Sequence, residues 1–286
     1  MWFSPRIHSV SLLAKDCLGR AEKLRGGLLY PNNELVVVNY HSTPEKFIPH
    51  FLRQAKFLAK HFHVIKPGEL NDYYAGNLHT GKCALLFTFD DGLKNNLYAA
   101  EKLEQMGIKA FFFLVPGFIE TAAGEQKNFY LKNIRPVVNP RIDSREEDFT
   151  AMSWGELKTL SAQGHGLGAH TYTHTLVAQQ STIQNTQREI ADCKTHLEEK
   201  LGITVDSFCS INNTLASIGS KEKELVEKNY RFHFTTLPGS NAINKNRFFI
   251  KRRNVECFWP DGAFYYALGR SDLNRWKEKI SAYNKL

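Results

Sequence analysis

Leu85-Leu-Phe-Thr-Phe-Asp-Asp-Gly92 is an apolar run that carries no charge until two adjacent carboxylates close it. A stretch without polar alternation reads as a strand buried on both faces, the kind found in parallel sheets. Asp90 and Asp91 arrive where the strand ends, and Gly92 lets the chain turn sharply into a helix from Leu93 to Met106. Neighbouring carboxylates repel, so keeping both at the mouth of a core strand calls for a cation or for very different protonation of the two. The plainer reading makes Asp91 a helix N-cap in a strand-to-helix turn, with Asp90 solvated beside it.

A second stretch, Gly168-Ala-His-Thr-Tyr-Thr-His-Thr175, sharpens the choice. His170 and His174 are four apart, a spacing that lets two imidazoles meet one metal from a helical turn or a folded-back loop. Two imidazoles and one carboxylate make a three-ligand catalytic site with a fourth position for water. Such a donor set suits zinc, with cobalt, nickel or iron as alternatives. On its own an HxxxH pair is weak, since surface histidines also produce it.

Around these stretches the chain alternates strand and helix. Leu35 to Tyr40 reads as a β-branched strand closing on His41, Pro44 to Ala59 as a helix, and Phe62 to Ile65 as a strand. Ala110 to Val115 is a further apolar strand, so the unit from Leu85 is a parallel crossover. Thr121 to Thr150 reads as a polar loop forming a rim over the site. Ser153 and Glu156 form a capping box for a helix through Leu160. A strand from His165 to Ala169, a helix from Thr182 to Leu201, a strand from Val205 to Ser210 and a helix from Lys221 to Lys228 follow. Strands from Tyr230 and from Phe248 to Val255, and a C-terminal helix from about Asp272, complete the pattern. This order predicts an α/β barrel or an open doubly wound sheet, with chemistry at the carboxyl ends of the strands. His41, Asp90, Asp91, His170 and His174 all fall at such ends.

With 286 residues, 42% of them hydrophobic, the chain can bury one large core, and no linker interrupts the pattern. Five cysteines stand singly, without a CxxC, which fits reduced thiols better than a secreted disulfide framework. No apolar run reaches membrane-spanning length, and the N-terminus has too short an apolar centre for a secretory signal, so the expectation is a cytoplasmic protein. Leu12 to Arg25 reads as a basic amphipathic helix that either packs on the body or touches a membrane peripherally. The formal charge of +8 peaks in Lys245-Asn-Arg-Phe-Phe-Ile-Lys-Arg-Arg253. No recognition helix accompanies it, and nucleic acid is not expected as a partner.

Thr88-Phe-Asp-Asp-Gly92 and His170-Thr-Tyr-Thr-His174 resemble the first two motifs of the polysaccharide deacetylases of carbohydrate esterase family 4. Val38-Asn-Tyr-His41 resembles the opening strand of one branch of that family, and Lys109-Ala-Phe-Phe-Phe113, Met152-Ser-Trp154, Gly164 to His170 and Thr235 to Gly239 extend the likeness over roughly Leu35 to Val255. The resemblance implies a distorted (β/α) barrel of seven strands over residues 35–262, with an N-terminal helical extension (1–34) and a C-terminal helix (263–286). It implies Asp91, His170 and His174 as metal ligands, Asp90 as general base, His41 as general acid and Arg252 beside the base. The third motif departs from the family, because Phe208-Cys-Ser-Ile-Asn-Asn-Thr214 replaces an aromatic and proline-rich turn whose backbone N–H helps bind the oxyanion. Asn212 falls at the corresponding place. The plainer readings make His41 a strand-end histidine bonded to backbone and Arg252 one more solvated charge. The implied activity is metal-dependent removal of an N-acetyl group from an amino sugar or glycan. The alternatives are a catalytically impaired carbohydrate-binding relative and a hydrolase of a non-sugar amide.

Overall fold

The computed structural model describes residues 5–24, 30–78, 80–136, 139, 142–176, 182–211, 220–243 and 246–269. Helix α1 (Pro5–Leu24) precedes β1 (Glu34–Tyr40), α2 (Ile48–His61), β2 (His63–Val64), α3 (Leu70–Ala75), β3 (Ala84–Phe89), α4 (Asn96–Gln105) and β4 (Ala110–Leu114). The single turns α5 (Pro116–Ile119) and α6 (Gln126–Phe129) come next, then α7 (Trp154–Ala162), β5 (Gly166–Ala169), α8 (Ile183–Gln187), α9 (Cys193–Leu201) and β6 (Ser207–Cys209). The chain continues through α10 (Ser220–Asn229), β7 (Phe232–Phe234), β8 (Asn241–Ala242), β9 (Arg253–Asn254) and α11 (Asp261–Leu268).

Every residue of β3 and β4 is buried, as expected for strands covered on both faces. Parallel pairing runs β1–β3–β4–β5–β6–β7. β9 pairs in parallel with β1, and Ile250 bridges in parallel to Phe234 of β7, so the sheet curls round until its ends meet. The result is a distorted barrel of seven parallel strands, with β2 against the start of β3 and β8 antiparallel to the start of β1. The seam is thin because Phe248 to Val255, expected as one strand, keeps ladder pairing only at its end. Its other backbone groups bond singly, Thr235 N–H to the Ile250 carbonyl and Ile250 N–H to that of His233.

Alternation along the strands makes two apolar layers. Val36, Val38, Tyr40, Leu85, Phe87, Phe89, Phe112 and Leu114 face outward onto the helices. Leu35, Val37, Ala84, Leu86, Phe111, Phe113, Phe234 and Ile250 fill the interior. β5 contributes glycines to that interior: a Cβ at Gly166 or Gly168 would lie 2.5 Å from the Phe111 or Phe113 ring. Their bareness is what lets two phenyl rings fill the barrel beside β5.

Several boundaries differ from the sequence expectation. α4 starts at Asn96 rather than Leu93, because Leu93 pairs with Ala151 as an isolated bridge. The expected polar loop from Thr121 holds short helical turns at α6, Tyr130–Ile134 and Glu146–Asp148. The helix expected from Thr182 is present, but widens to a π turn at Arg188–Asp192 between α8 and α9. The helix expected from Asp272 lies outside the described residues. α1 packs on the body through α11, where Gly262 N–H donates to Asp16 Oδ1 at 2.8 Å. A Cβ at Gly19 would fall 1.8 Å from the Gly262 carbonyl oxygen, so the two helices cross backbone to backbone.

Candidate metal centre and its surroundings

Strand parity places the chemistry. In β3, Ala84 and Leu86 point inward, so Thr88 and Asp90 continue the same row to the carboxyl end. Gly166 and Gly168 of β5 lie against interior rings, so His170 is next in their row. Cys209 at the end of β6 also belongs to the interior layer. Asp90, Asp91 and His170 are each at most 3% exposed.

The turns beyond these strands are strained. The non-glycine residues with positive φ among those described are Asp91 (73°), Thr171 (61°) and His174 (58°), all at this one site. A left-handed β-branched threonine is an outlier, and each such residue costs of order 1–3 kcal/mol, held in place by the surrounding contacts. Here Glu189, in the π turn, accepts from Thr173 N–H at 2.9 Å and from Thr173 Oγ1 at 2.7 Å, pinning the loop between the histidines.

Asp91 Oδ1 lies 3.6 Å from His170 Nε2 and 3.3 Å from His174 Nε2. Carbonyl oxygens only accept, so the contacts of His170 Nδ1 with the Cys209 carbonyl (2.8 Å) and of His174 Nδ1 with the Asn133 carbonyl (2.8 Å) put the ring protons on Nδ1. Both neutral rings then aim Nε2 lone pairs at the same carboxylate. Asp91 Oδ1 is buried without a hydrogen-bond partner. Two Nε2 acceptors converging on an orphaned carboxylate oxygen make a three-donor set that fits a divalent cation, and backbone-anchored imidazoles are how such ligands are usually oriented. Burial pulls the His170 pKa below its ordinary value, which favours the neutral ligand form, while at His174 the Asp91 carboxylate outweighs burial and raises it.

Asp90, His170 and Cys209 form a second cluster of potential donors. Arg252 decides against it. Arg252 Nη1 donates to Asp90 Oδ1 at 2.7 Å and Nη2 to Oδ2 at 2.9 Å, and Nη2 also reaches Cys209 Sγ at 2.8 Å. The guanidinium already neutralises that corner, and a cation there would face a buried like charge. At 1% exposed, Arg252 is not a solvated member of the basic run. Burial works to raise the Asp90 pKa, but Arg252 outweighs it, with His170 and His41 assisting, and holds the carboxyl below its usual range.

His41 stands across the cavity, its side chain 33% exposed, with Nε2 3.9 Å from Asp90 Oδ2. On its other side Nδ1 is 3.6 Å from Glu256 Oε1, so it is not a histidine bonded to backbone. Burial alone would lower its pKa, but the Glu256 carboxylate, with Asp91 and Asp90 beyond, pushes it up to about 9. These groups line an open cavity of about 280 Å³, together with Tyr130, Ile134, Arg135, Ile211 and Thr236. Tyr130, Ile134 and Arg135 come from the segment expected to form a rim.

The structure thus brings together His41, Asp90, Asp91, His170, His174 and Arg252, while Asn212 lies outside the described residues. Sequence reasoning missed Glu256 and Cys209. Glu256 had a usable signal, being an acid just past the last barrel strand, where the other site residues also cluster. Cys209 had none, since a lone cysteine in a strand reads as core.

The family model described as polysaccharide deacetylase matches residues 77–214, the segment that carries both the Asp-Asp and the His-x-x-x-His motifs. Over that segment the chain is similar to the polysaccharide deacetylase family. Among solved structures it is similar to IcaB from Ammonifex degensii, at 21% identity and a TM-score of 0.60 over 82% of this chain and 97% of that one. It is also similar to the Streptococcus pyogenes deacetylase PplD in complex with acetate, at 16% identity and a TM-score of 0.59 over 79% and 93% of the two chains. A de-N-acetylase from Aggregatibacter actinomycetemcomitans matches at 13% identity and a TM-score of 0.58 over 82% and 99%. At these identities the likeness is one of fold. No curated protein sequence matches the chain.

Proposed function

We propose that the chain is a metal-dependent amide hydrolase that removes an N-acetyl group from an amino sugar or glycan. The observation that carries this reading is the convergence of Asp91 Oδ1 and two Nε2 atoms, with Asp90 and His41 facing one another beside it. Asp91, His170 and His174 would hold the ion. A divalent ion in that position supplies Lewis-acid polarisation of an acyl carbonyl and makes water more acidic.

The chain's own groups divide the proton traffic. Asp90 stays ionised through Arg252 and accepts a proton at Oδ2, the oxygen it presents to His41. His41 carries its proton at neutral pH because of Glu256, and Nε2 gives it to the departing amine, which otherwise leaves poorly. Arg252 keeps the base oriented as well as charged. The oxyanion contact falls by motif correspondence to Asn212, which lies outside the described residues.

The test is acetate release by zinc- or cobalt-loaded protein from N-acetylglucosamine oligomers and from nucleotide- and lipid-linked N-acetyl sugars. The reading expects release from at least one of them and a loss of about 100-fold or more in Asp90→Asn. Metal-loaded protein that binds glycans equally well with and without Asp90→Asn, yet releases no acetate, would favour the catalytically impaired relative. Release only from a small non-sugar amide would move the substrate class while keeping the chemistry.

A further inference from the structure

Three large apolar side chains are exposed among the described residues, and two of them, Leu13 at 67% and Leu18 at 53%, stand on α1. Ala14, Cys17 and Ala21 are exposed alongside them. Positions 13, 14, 17, 18 and 21 recur at the spacing of a single helix face. That face is turned away from the body, because α1 meets α11 through Asp16 and Gly19 on its other side. An apolar stripe left outward on an otherwise well-packed chain is a contact surface in want of a partner.

Its borders say which partner. Arg20 and Lys23 are exposed on the same helix, and the whole chain carries a formal charge of +8. Arg20 is already paired with Asp16 Oδ2 at 2.9 Å, but an apolar protein surface would leave Lys23 unmatched, whereas an anionic lipid surface takes up both the apolar stripe and the charges at its border. One strip of five residues is also small beside the roughly 1,200–2,000 Å² that a stable protein interface buries. No helix among the described residues is long and apolar enough to cross a membrane, so α1 would lie in the plane of the headgroups.

The helix is also placed close to the cavity. Lys15 Nζ sits 5.6 Å from the centre of the Trp259 ring, three residues beyond the cavity-lining Glu256. Phe258, between them in sequence, packs on Phe47 at 5.9 Å, just after β1 and His41. We infer that α1 is an in-plane anchor for an anionic lipid surface, attached to the barrel at the rim of the cavity. This inference stands apart from the deacetylase reading, since lipid binding is measured without substrate or turnover.

The experiment is co-sedimentation of the full chain with phosphatidylcholine vesicles, with and without phosphatidylglycerol. The wild-type protein pellets with the anionic vesicles, stays in solution with phosphatidylcholine alone, and is released as salt is raised. Leu13→Glu/Leu18→Glu and, separately, Arg20→Glu/Lys23→Glu each lower the bound fraction by about tenfold or more. The leucine pair keeps the wild-type melting temperature because both positions are exposed, and so does Lys23→Glu alone, which leaves the Arg20–Asp16 ion pair intact and still weakens binding to the anionic vesicles. Wild-type protein that ignores anionic vesicles, or pairs of substitutions that bind as it does, would overturn the inference. So would a concentration-dependent dimer that the leucine substitutions abolish while vesicle binding is absent.

Discussion

Asp90 and His41 are held in opposite protonation states by different neighbours, and each neighbour can be removed separately. Glu256→Gln takes away the carboxylate that does most to keep the His41 pKa up at about 9, leaving only Asp91 and Asp90 to oppose burial. His41 must be protonated to give a proton, so activity in the wild-type protein falls as pH rises through that value. In Glu256→Gln the alkaline fall should move to lower pH, toward the ordinary histidine value of about 6.5, as read from the pH dependence of kcat/KM. Arg252→Met acts on the other limb. Burial then raises the Asp90 pKa against only His170 and His41, and the acidic fall of activity moves to higher pH. The same substitution leaves a buried carboxylate unpaired and should cost about 3–5 kcal/mol in urea unfolding at neutral pH. The linkage sign agrees: a depressed carboxylate pKa contributes stability above its unfolded value, and this is lost as pH falls through the folded one. At this scale the sequence was readable for His41, Asp90, Asp91, His170 and His174, because each ends a recognisable strand. It was silent on the Arg252–Cys209 contact, which joins strands distant along the chain and depends on side-chain direction across the barrel.

β5 shows how one short element positions the centre. Its Gly-Leu-Gly-Ala sequence leaves the interior positions bare, Phe113 fills the space, and Arg252 lies over the Phe113 ring at 5.6 Å. Gly168→Ala would drive a methyl into that ring and toward the Ser207 carbonyl, 3.0 Å from the new Cβ. The expected cost is about 1–3 kcal/mol in denaturant unfolding, together with weaker metal binding, because His170 is two residues on. Unchanged stability and affinity would show that β5 can shift without disturbing the centre. Strong strands such as β3 and β4 were legible because their apolar runs are long and uninterrupted. β9 was legible only as part of a longer strand, Phe248 to Val255, whose ladder pairing survives at Arg253 and Asn254 alone, just after Arg252 turns into the barrel. The turns at Tyr130–Ile134 and Glu146–Asp148 were hidden, since single turns leave no periodicity to read.

Seen as one molecule, the chain places its described non-glycine positive-φ residues, the Asp90–Arg252 pair and the orphaned Asp91 Oδ1 at the carboxyl end of the barrel, above an apolar interior. A ligand that binds only the folded chain raises its melting temperature. Zinc or cobalt should therefore raise it in the wild-type protein, a chelator should reverse the rise, and His174→Ala should show neither effect. The barrel itself followed from strand–helix alternation and from the motif resemblance, whereas its thin closure between β7 and β1 rests on isolated backbone bonds that no sequence period announces. Central to the account is one ion shared by Asp91, His170 and His174. Anomalous diffraction at the zinc edge from zinc-soaked crystals tests it most directly. The account predicts a single peak about 2.0–2.2 Å from an Asp91 carboxylate oxygen and from both Nε2 atoms. A peak held instead by Asp90 and Cys209, or zinc found only at surface sites with Asp91, His170 and His174 bare, would contradict it.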